Sequence, residues 1–285
     1  MGNSIFSDFD MSGFQPVCEQ VKAEIASLDA AGRGKALLTL FGCIDNTTLS
    51  GSDTPSGVAA FCRSARGLSV PSPQGPVGVA SVCVYPCFVG IAKRELAGSA
   101  LRVASVAGGF PAGQTSQSIK IEEVRYAVGE GADEVDFVIN RGRLLDGEVR
   151  YVSDEIAAAK AVCGNDVKLK VIIETGELQS PSNIYGTSML ALRAGADFIK
   201  TSTGKIAVGA TPEAAYAMLC ALREFVKISK KTVGFKAAGG ITTPDDALFY
   251  LFLFRIMLNT QDVSNQIFRI GTSRLTAQLQ NLLTF

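Results

Sequence analysis

Apolar and polar residues alternate along this chain at two periods in turn. Strand-like runs occupy residues 36–44, 77–84, 101–107, 134–139, 168–173, 198–201, 232–236 and 267–270, and most have Gly, Pro or Asn close beyond their C-terminal ends. Between them the apolar residues recur at helical spacing, over 57–66, 88–97, 116–130, 152–162, 182–194, 211–226 and 244–258, and a further helix is expected over 16–31. Thr211-Pro212-Glu213 and Thr243-Pro244-Asp245 are helix starts, each with an N-cap, proline at the first helical position and acid in the first turn. Eight strands alternating with helices predict an α/β protein, a single parallel (β/α)8 barrel of the TIM type with an extra N-terminal helix. A doubly wound open sheet is the competing arrangement. Residues 67–76, with Pro71, Pro73 and Pro76, read as a loop inside one domain covering 15–285. Residues 1–14 mix Gly, Ser and Asp with isolated aromatics and are expected to be a flexible segment.

The period of two also assigns faces. Lys168, Lys170, Ile172 and Glu174 share one face of their strand, as do Glu134, Asp136 and Val138, then Phe198, Lys200 and Ser202, and then Gly234, Lys236 and Ala238. Asp136, Lys170, Lys200 and Lys236 therefore point into one interior, whose C-terminal end is the usual active site of such a barrel. Burial and mutual repulsion among lysines disfavour the charged form, so at least one of them is expected to be an amine nucleophile suited to Schiff-base chemistry on a carbonyl. The competing reading is an interior ion pair between Asp136 and a lysine with no catalytic role.

Glycine-rich segments follow three late strands: Thr203-Gly204-Lys205, Ala238-Gly239-Gly240 and Gly271-Thr272-Ser273. Bare N–H groups after the seventh and eighth strands are the usual phosphate cradle of this fold, which predicts a phosphorylated substrate.

Composition narrows the chemistry. The 285 residues contain no histidine, which removes Ser-His-Asp and Cys-His nucleophiles and histidine metal sites. Lys+Arg 27 balance Asp+Glu 27, so no basic excess attracts nucleic acid or an anionic membrane. Seven scattered cysteines without a C-x-x-C pair predict reduced thiols in the cytoplasm. The N-terminus lacks the layout of a signal peptide, and Phe6 stands where a myristoylation motif needs Ser or Thr. The apolar run 248–258, interrupted by Arg255, is short of the roughly 20 residues that span a bilayer, and is expected to be a buried helix or a contact within a homo-oligomer.

The stretches Ile44-Asp45-Asn46-Thr47-Thr48-Leu49, Val82-Cys83-Val84-Tyr85-Pro86, Gly109-Phe110-Pro111, Gly131-Ala132-Asp133-Glu134-Val135-Asp136, Lys170-Val171-Ile172-Ile173-Glu174-Thr175-Gly176, Asp197-Phe198-Ile199-Lys200-Thr201-Ser202-Thr203-Gly204-Lys205, Val233-Gly234-Phe235-Lys236 and Phe268-Arg269-Ile270-Gly271-Thr272-Ser273 resemble, in order, the deoxyribose-phosphate aldolases. The resemblance implies a class I aldolase that reversibly cleaves 2-deoxy-D-ribose 5-phosphate to D-glyceraldehyde 3-phosphate and acetaldehyde without a metal or organic cofactor. It implies that Lys200 forms the Schiff base, that Lys236 lowers its pKa and that Asp136 moves protons. Lys170, Asp45, Thr47, Cys83 and Thr203 would line the substrate pocket, and Gly204, Lys205, Gly239, Gly240, Gly271 and Ser273 would hold the phosphate. A non-catalytic scaffold and a Schiff-base aldolase for another phosphosugar are the alternatives.

Three departures from the family pattern stand out. Arg274 follows Ser273 where relatives often have a second serine, Ala237 replaces a frequent proline, and the chain ends at Phe285 without the terminal tyrosine of some relatives. Arg274 either adds a charge-assisted phosphate contact or points away, and turnover is expected to be slower than in relatives with the tyrosine.

Overall fold

The computed structural model describes residues 5–284. Its centre is a closed barrel of parallel strands: β1 (Ile44–Thr47), β2 (Ser81–Val84), β3 (Arg102–Ala107), β4 (Glu134–Val138), β5 (Lys168–Ile172), β6 (Phe198–Lys200), β7 (Gly234–Ala238) and β8 (Phe268–Thr272). Each pairs with its sequence neighbour, and β1 closes the ring against β8 through Ile44 opposite Ile270 and Asp45 opposite Gly271. The expected barrel is borne out and the open sheet is not. Outward residues such as Leu169, Val171, Ile199 and Phe235 are fully covered and form the continuous core beneath the helices.

Two helices, α1 (Phe14–Ala26) and α2 (Ala30–Phe41), precede the barrel in place of the one expected. The expected strand over 36–44 is wrong for most of its length. Ala36, Leu37, Leu40 and Phe41 are buried along one face of α2, whose start is capped by Asp29 accepting from the Gly32 N–H. Spacings of one, four and five residues fit a helix, and a short apolar run does not distinguish the two states. The expected strand over 77–84 is also broken. Val77–Gly78 pairs antiparallel with Ser69–Val70, and only Ser81–Val84 joins the barrel.

The intervening helices are α3 (Pro55–Arg66), α4 (Val89–Glu95), α5 (Gln117–Gly129), α6 (Arg141–Leu145), α7 (Val149–Cys163), α8 (Pro181–Arg193), α9 (Pro212–Ser229) and α10 (Pro244–Leu258), with α11 (Leu275–Leu283) after the last strand. The sequence pattern did not reveal α6 or α11. In α10 a complete capping box between Thr243 and Asp246 fixes the start. The apolar run there is a buried helix, packed against α1, α2 and α9. Among the described residues no helix is long and apolar enough to cross a membrane, and all seven cysteines are free.

Of the segment 1–14, residues 1–4 lie outside the described residues. Beyond them, the Ile5 N–H donates to Asn183 Oδ1 at 2.9 Å and the Phe9 N–H to Ser182 Oγ at 3.0 Å. The Phe9 ring stacks on Tyr185 with centroids 4.6 Å apart. These contacts fix residues 5–9 along α8, because an extended chain with isolated aromatics can lie in a groove without its own periodic structure.

Candidate active site

Strand register brings the interior charges together. Asp136 on β4 lies opposite Lys170 on β5, and Lys200 on β6 lies opposite Lys236 on β7. Lys170 Nζ donates to Asp136 Oδ1 at 2.9 Å, while Lys200 Nζ and Lys236 Nζ both donate to Asp136 Oδ2 at 2.7 Å. The lysines differ in how many carboxylates they touch. Lys170 also reaches Asp45 at 3.3 Å and contacts Glu134. Lys236 has a second partner in Asp45 at 2.5 Å. Lys200 has Asp136 alone.

That gradient sets the proton affinities. Burial disfavours charge on all three amines. For Lys200 burial prevails, aided by the neighbouring Lys236 cation, and its pKa falls below the usual lysine value despite Asp136. For Lys236 burial is overridden by Asp136 and Asp45, and for Lys170 by Asp136, Asp45 and Glu134, so both hold their protons more firmly than a free lysine. Asp136 is buried too, yet Lys170, Lys200 and Lys236 together keep it ionised far below the ordinary carboxylate range. Burial pushes the nearby Cys83 thiol up to about 11, so it remains neutral.

Lys200 is also the one of these three lysines that faces an opening. A cavity of about 550 Å³ at the C-terminal mouth is lined by Lys200 together with Thr47, Thr203, Gly204, Lys205, Gly239, Gly240, Gly271 and Ser273. Asp45, Cys83, Asp136, Lys170 and Lys236 lie beneath it in the barrel. Of the departures, Arg274 lines the cavity as well, and Lys205 spans it, its amine donating to the Leu49 carbonyl. Gly240 and Ser273 make no hydrogen bond to the described protein, which leaves their N–H groups open to an anion. The turn after β7 requires glycine: Gly239 has φ of 85°, and a Cβ there would stand 2.6 Å from Ser202 Oγ. Gly271 has a different reason from the cradle alone, since a Cβ would meet the Lys236 stem at 3.0 Å.

Sequence reasoning missed several residues. Arg269 on β8 contacts Asp45 and forks onto Glu134 at 2.6 and 3.1 Å. Glu134 was visible as sharing the Asp136 face, and applying the same period to β8 would have turned Arg269 inward with it. At the rim, Arg141 donates to the Pro111 carbonyl at 2.9 Å and pairs with Glu177 at 2.5 Å, tying together the segments that follow β3, β4 and β5. Beside it Glu174, expected on the lysine face of β5, turns aside through a left-handed φ of 55° and accepts from the Thr203 N–H at 3.0 Å and its hydroxyl at 2.5 Å. Lys168, expected inward as well, instead pairs with Asp197 at 3.7 Å with its side chain 37% exposed.

A parallel eight-stranded barrel with one underpaired lysine at the floor of an open cavity defines an aldolase of the Schiff-base class. The comparisons with known proteins agree, since a model described as DeoC/LacD family aldolase matches residues 42–253. The chain belongs to that family, and is a lyase acting on carbon–carbon bonds. It is 44% identical over 253 residues to the deoxyribose-phosphate aldolase of Bos taurus, covering 86% of this chain and 79% of that one. The Homo sapiens protein of the same name is 43% identical over 246 residues, covering 83% and 77%. Among solved structures, the tetrameric deoxyribose phosphate aldolase of Aeropyrum pernix superposes with a TM-score of 0.66 over 94% of this chain and 96% of that one; at 23% identity this speaks to the fold.

Proposed function

We propose that the protein cleaves 2-deoxy-D-ribose 5-phosphate reversibly to D-glyceraldehyde 3-phosphate and acetaldehyde, with Lys200 as the Schiff-base residue. The observation that carries this reading is that Lys200, alone of the three interior lysines, combines a single carboxylate partner with a place in the cavity wall. Its amine adds to the substrate aldehyde, and loss of water leaves an iminium. Removal of the proton from the C3 hydroxyl then breaks the C2–C3 bond, and the electron pair moves to the iminium nitrogen as the enamine forms. Glyceraldehyde 3-phosphate leaves, the enamine carbon takes a proton, and hydrolysis frees acetaldehyde and the amine.

In this reading Asp136, whose Oδ2 faces both Lys200 and Lys236 at 2.7 Å, passes protons to and from the Lys200 nitrogen. Lys236, held as an ammonium, disfavours a second cation on Lys200. Of the expected pocket residues, Thr47 and Thr203 line the cavity in this reading, while Lys170, Asp45 and Cys83 lie beneath it and act on its floor rather than on substrate. The phosphate is held by Gly204, Lys205, Gly239, Gly240, Gly271 and Ser273, a role supported by the open N–H groups of Gly240 and Ser273. Residues 15–285 act as one aldolase domain, and the unpaired cysteines support a reducing cytoplasm.

The test is cleavage of 2-deoxyribose 5-phosphate by the purified protein with Lys200→Ala alongside. Activity in the parent, its loss in the variant, and a borohydride-trapped adduct mapped to Lys200 are expected. An adduct on another lysine would overturn the assignment.

A further inference from the structure

We infer that Arg269 and Glu134, at the N-terminal end of the barrel interior, are positioning residues that set the charge count of the sealed core and thereby leave Lys200 the uncharged amine of the set. The inference rests on Lys200 being the reacting amine. Four cationic side chains converge there, Lys170 from β5, Lys200 from β6, Lys236 from β7 and Arg269 from β8, and three carboxylates face them, Asp45 from β1 and Glu134 and Asp136 from β4. The remaining strands add no interior charge: β2 presents Ser81 and the neutral thiol of Cys83, and β3 presents Ala104 and Val106. Arg102 touches Glu134 at 3.5 Å from the rim, but its side chain is 38% exposed and screened by water.

A low-dielectric interior tolerates balanced charge far better than a surplus. Four cations against three anions leave one proton in excess. Arginine does not surrender its proton in proteins. A lysine must therefore do so, and the one with fewest carboxylate contacts is Lys200. With a neutral residue at position 269 the three lysines would match the three carboxylates, and Lys200 would stay protonated and unreactive. Arg269 thus acts on Lys200 without touching it, through Asp45 and Glu134, and its guanidinium is held in place by the Asn265 carbonyl, which accepts from Nε at 2.5 Å.

The experiment is the pH dependence of kcat/KM for 2-deoxyribose 5-phosphate cleavage in the parent, Arg269→Gln, Glu134→Gln and the double variant, with Lys200→Ala as control. The acidic limb of the profile reports the amine losing its proton. Removing the cation is expected to move that limb up by about one pH unit or more, and removing the anion to move it down. The double variant, with three lysines against two carboxylates and so again one cation in excess, should return to the parent profile. A loss of packing would not reverse on losing both partners. If Arg269→Gln does not fold, the downward move in Glu134→Gln and the return in the double variant carry the test. Limbs that stay fixed, or that shift the same way in both single variants, overturn the inference while leaving Lys200 as the nucleophile. Undiminished activity in Lys200→Ala would instead overturn the assignment on which it rests.

Discussion

Lys200 and Lys236, at paired positions of β6 and β7, donate to one and the same oxygen, Asp136 Oδ2, each at 2.7 Å. Two amines on one acceptor in a buried site cannot both be charged cheaply. The tie is broken by Asp45, which lies 2.5 Å from Lys236 Nζ and has no contact with Lys200. The chemistry follows from this asymmetry.

Lys236→Met should therefore make Lys200 easier to protonate, because the repelling cation is gone and Asp136 Oδ2 is left to Lys200. Turnover at neutral pH is expected to fall by about 10²–10⁴-fold, with partial recovery at alkaline pH. A pH–rate profile checks it, and an unchanged acidic limb would contradict the role given to Lys236.

Two lysine substitutions should have opposite effects on stability. Lys200→Met removes a buried amine disfavoured by its surroundings and leaves Asp136 with Lys170 and Lys236, for an expected gain of about 1 kcal/mol. Lys170→Met strips a partner from Asp45, Glu134 and Asp136 at once, for an expected loss of about 3–5 kcal/mol. Urea midpoints at neutral pH would show the order.

Stability should also depend on pH in a manner traceable to Lys200. Its folded pKa lies below the unfolded one, so between the two the unfolded chain holds more protons and the free energy of unfolding rises with pH. That rise should end near the unfolded lysine value of about 10.4 and be absent from Lys200→Met. For Asp136 the folded pKa is depressed, so its contribution is present above the unfolded value of about 3.9 and is lost as pH falls below it. Denaturant titrations of parent and variant across pH would separate the two.

Gly239→Ala should weaken the phosphate site selectively. The new methyl group meets Ser202 Oγ at 2.6 Å on a backbone with φ of 85°, so the turn after β7 must shift. KM for 2-deoxyribose 5-phosphate is expected to rise about tenfold, a loss of about 1.4 kcal/mol, with cleavage of unphosphorylated 2-deoxyribose little changed. Equal losses on both substrates would place the effect on the Schiff-base centre instead.

Most of the barrel was legible along the chain because a strand covered by helices on one face and packed inside on the other repeats a local signal. Asp136, Lys170, Lys200 and Lys236 each stand at an inward position of a correctly placed run, so the period of two sufficed to turn them toward one another. The misread segments are those where local pattern is ambiguous. Ala36 to Phe41 satisfies both strand and helix, and only the cap at Asp29 and packing on α10 and α11 make it α2. Val77 to Val84 reads as one strand, yet its first part pairs with Ser69–Val70, a choice made by a partner strand that the run itself does not encode.

By itself, then, the sequence determined the barrel, the inward faces of its strands and a set of lysines with a carboxylate that histidine-free chemistry could use. It could not rank those lysines, because alternation gives direction and not distance. Only the closed barrel decided that Lys170 meets three carboxylates, Lys236 two and Lys200 one, since those contacts join β1 and β4 to β5, β6 and β7 across the barrel interior. Proton affinity in a buried site depends on the number and nearness of opposite charges, and these quantities exist only once the strands have met.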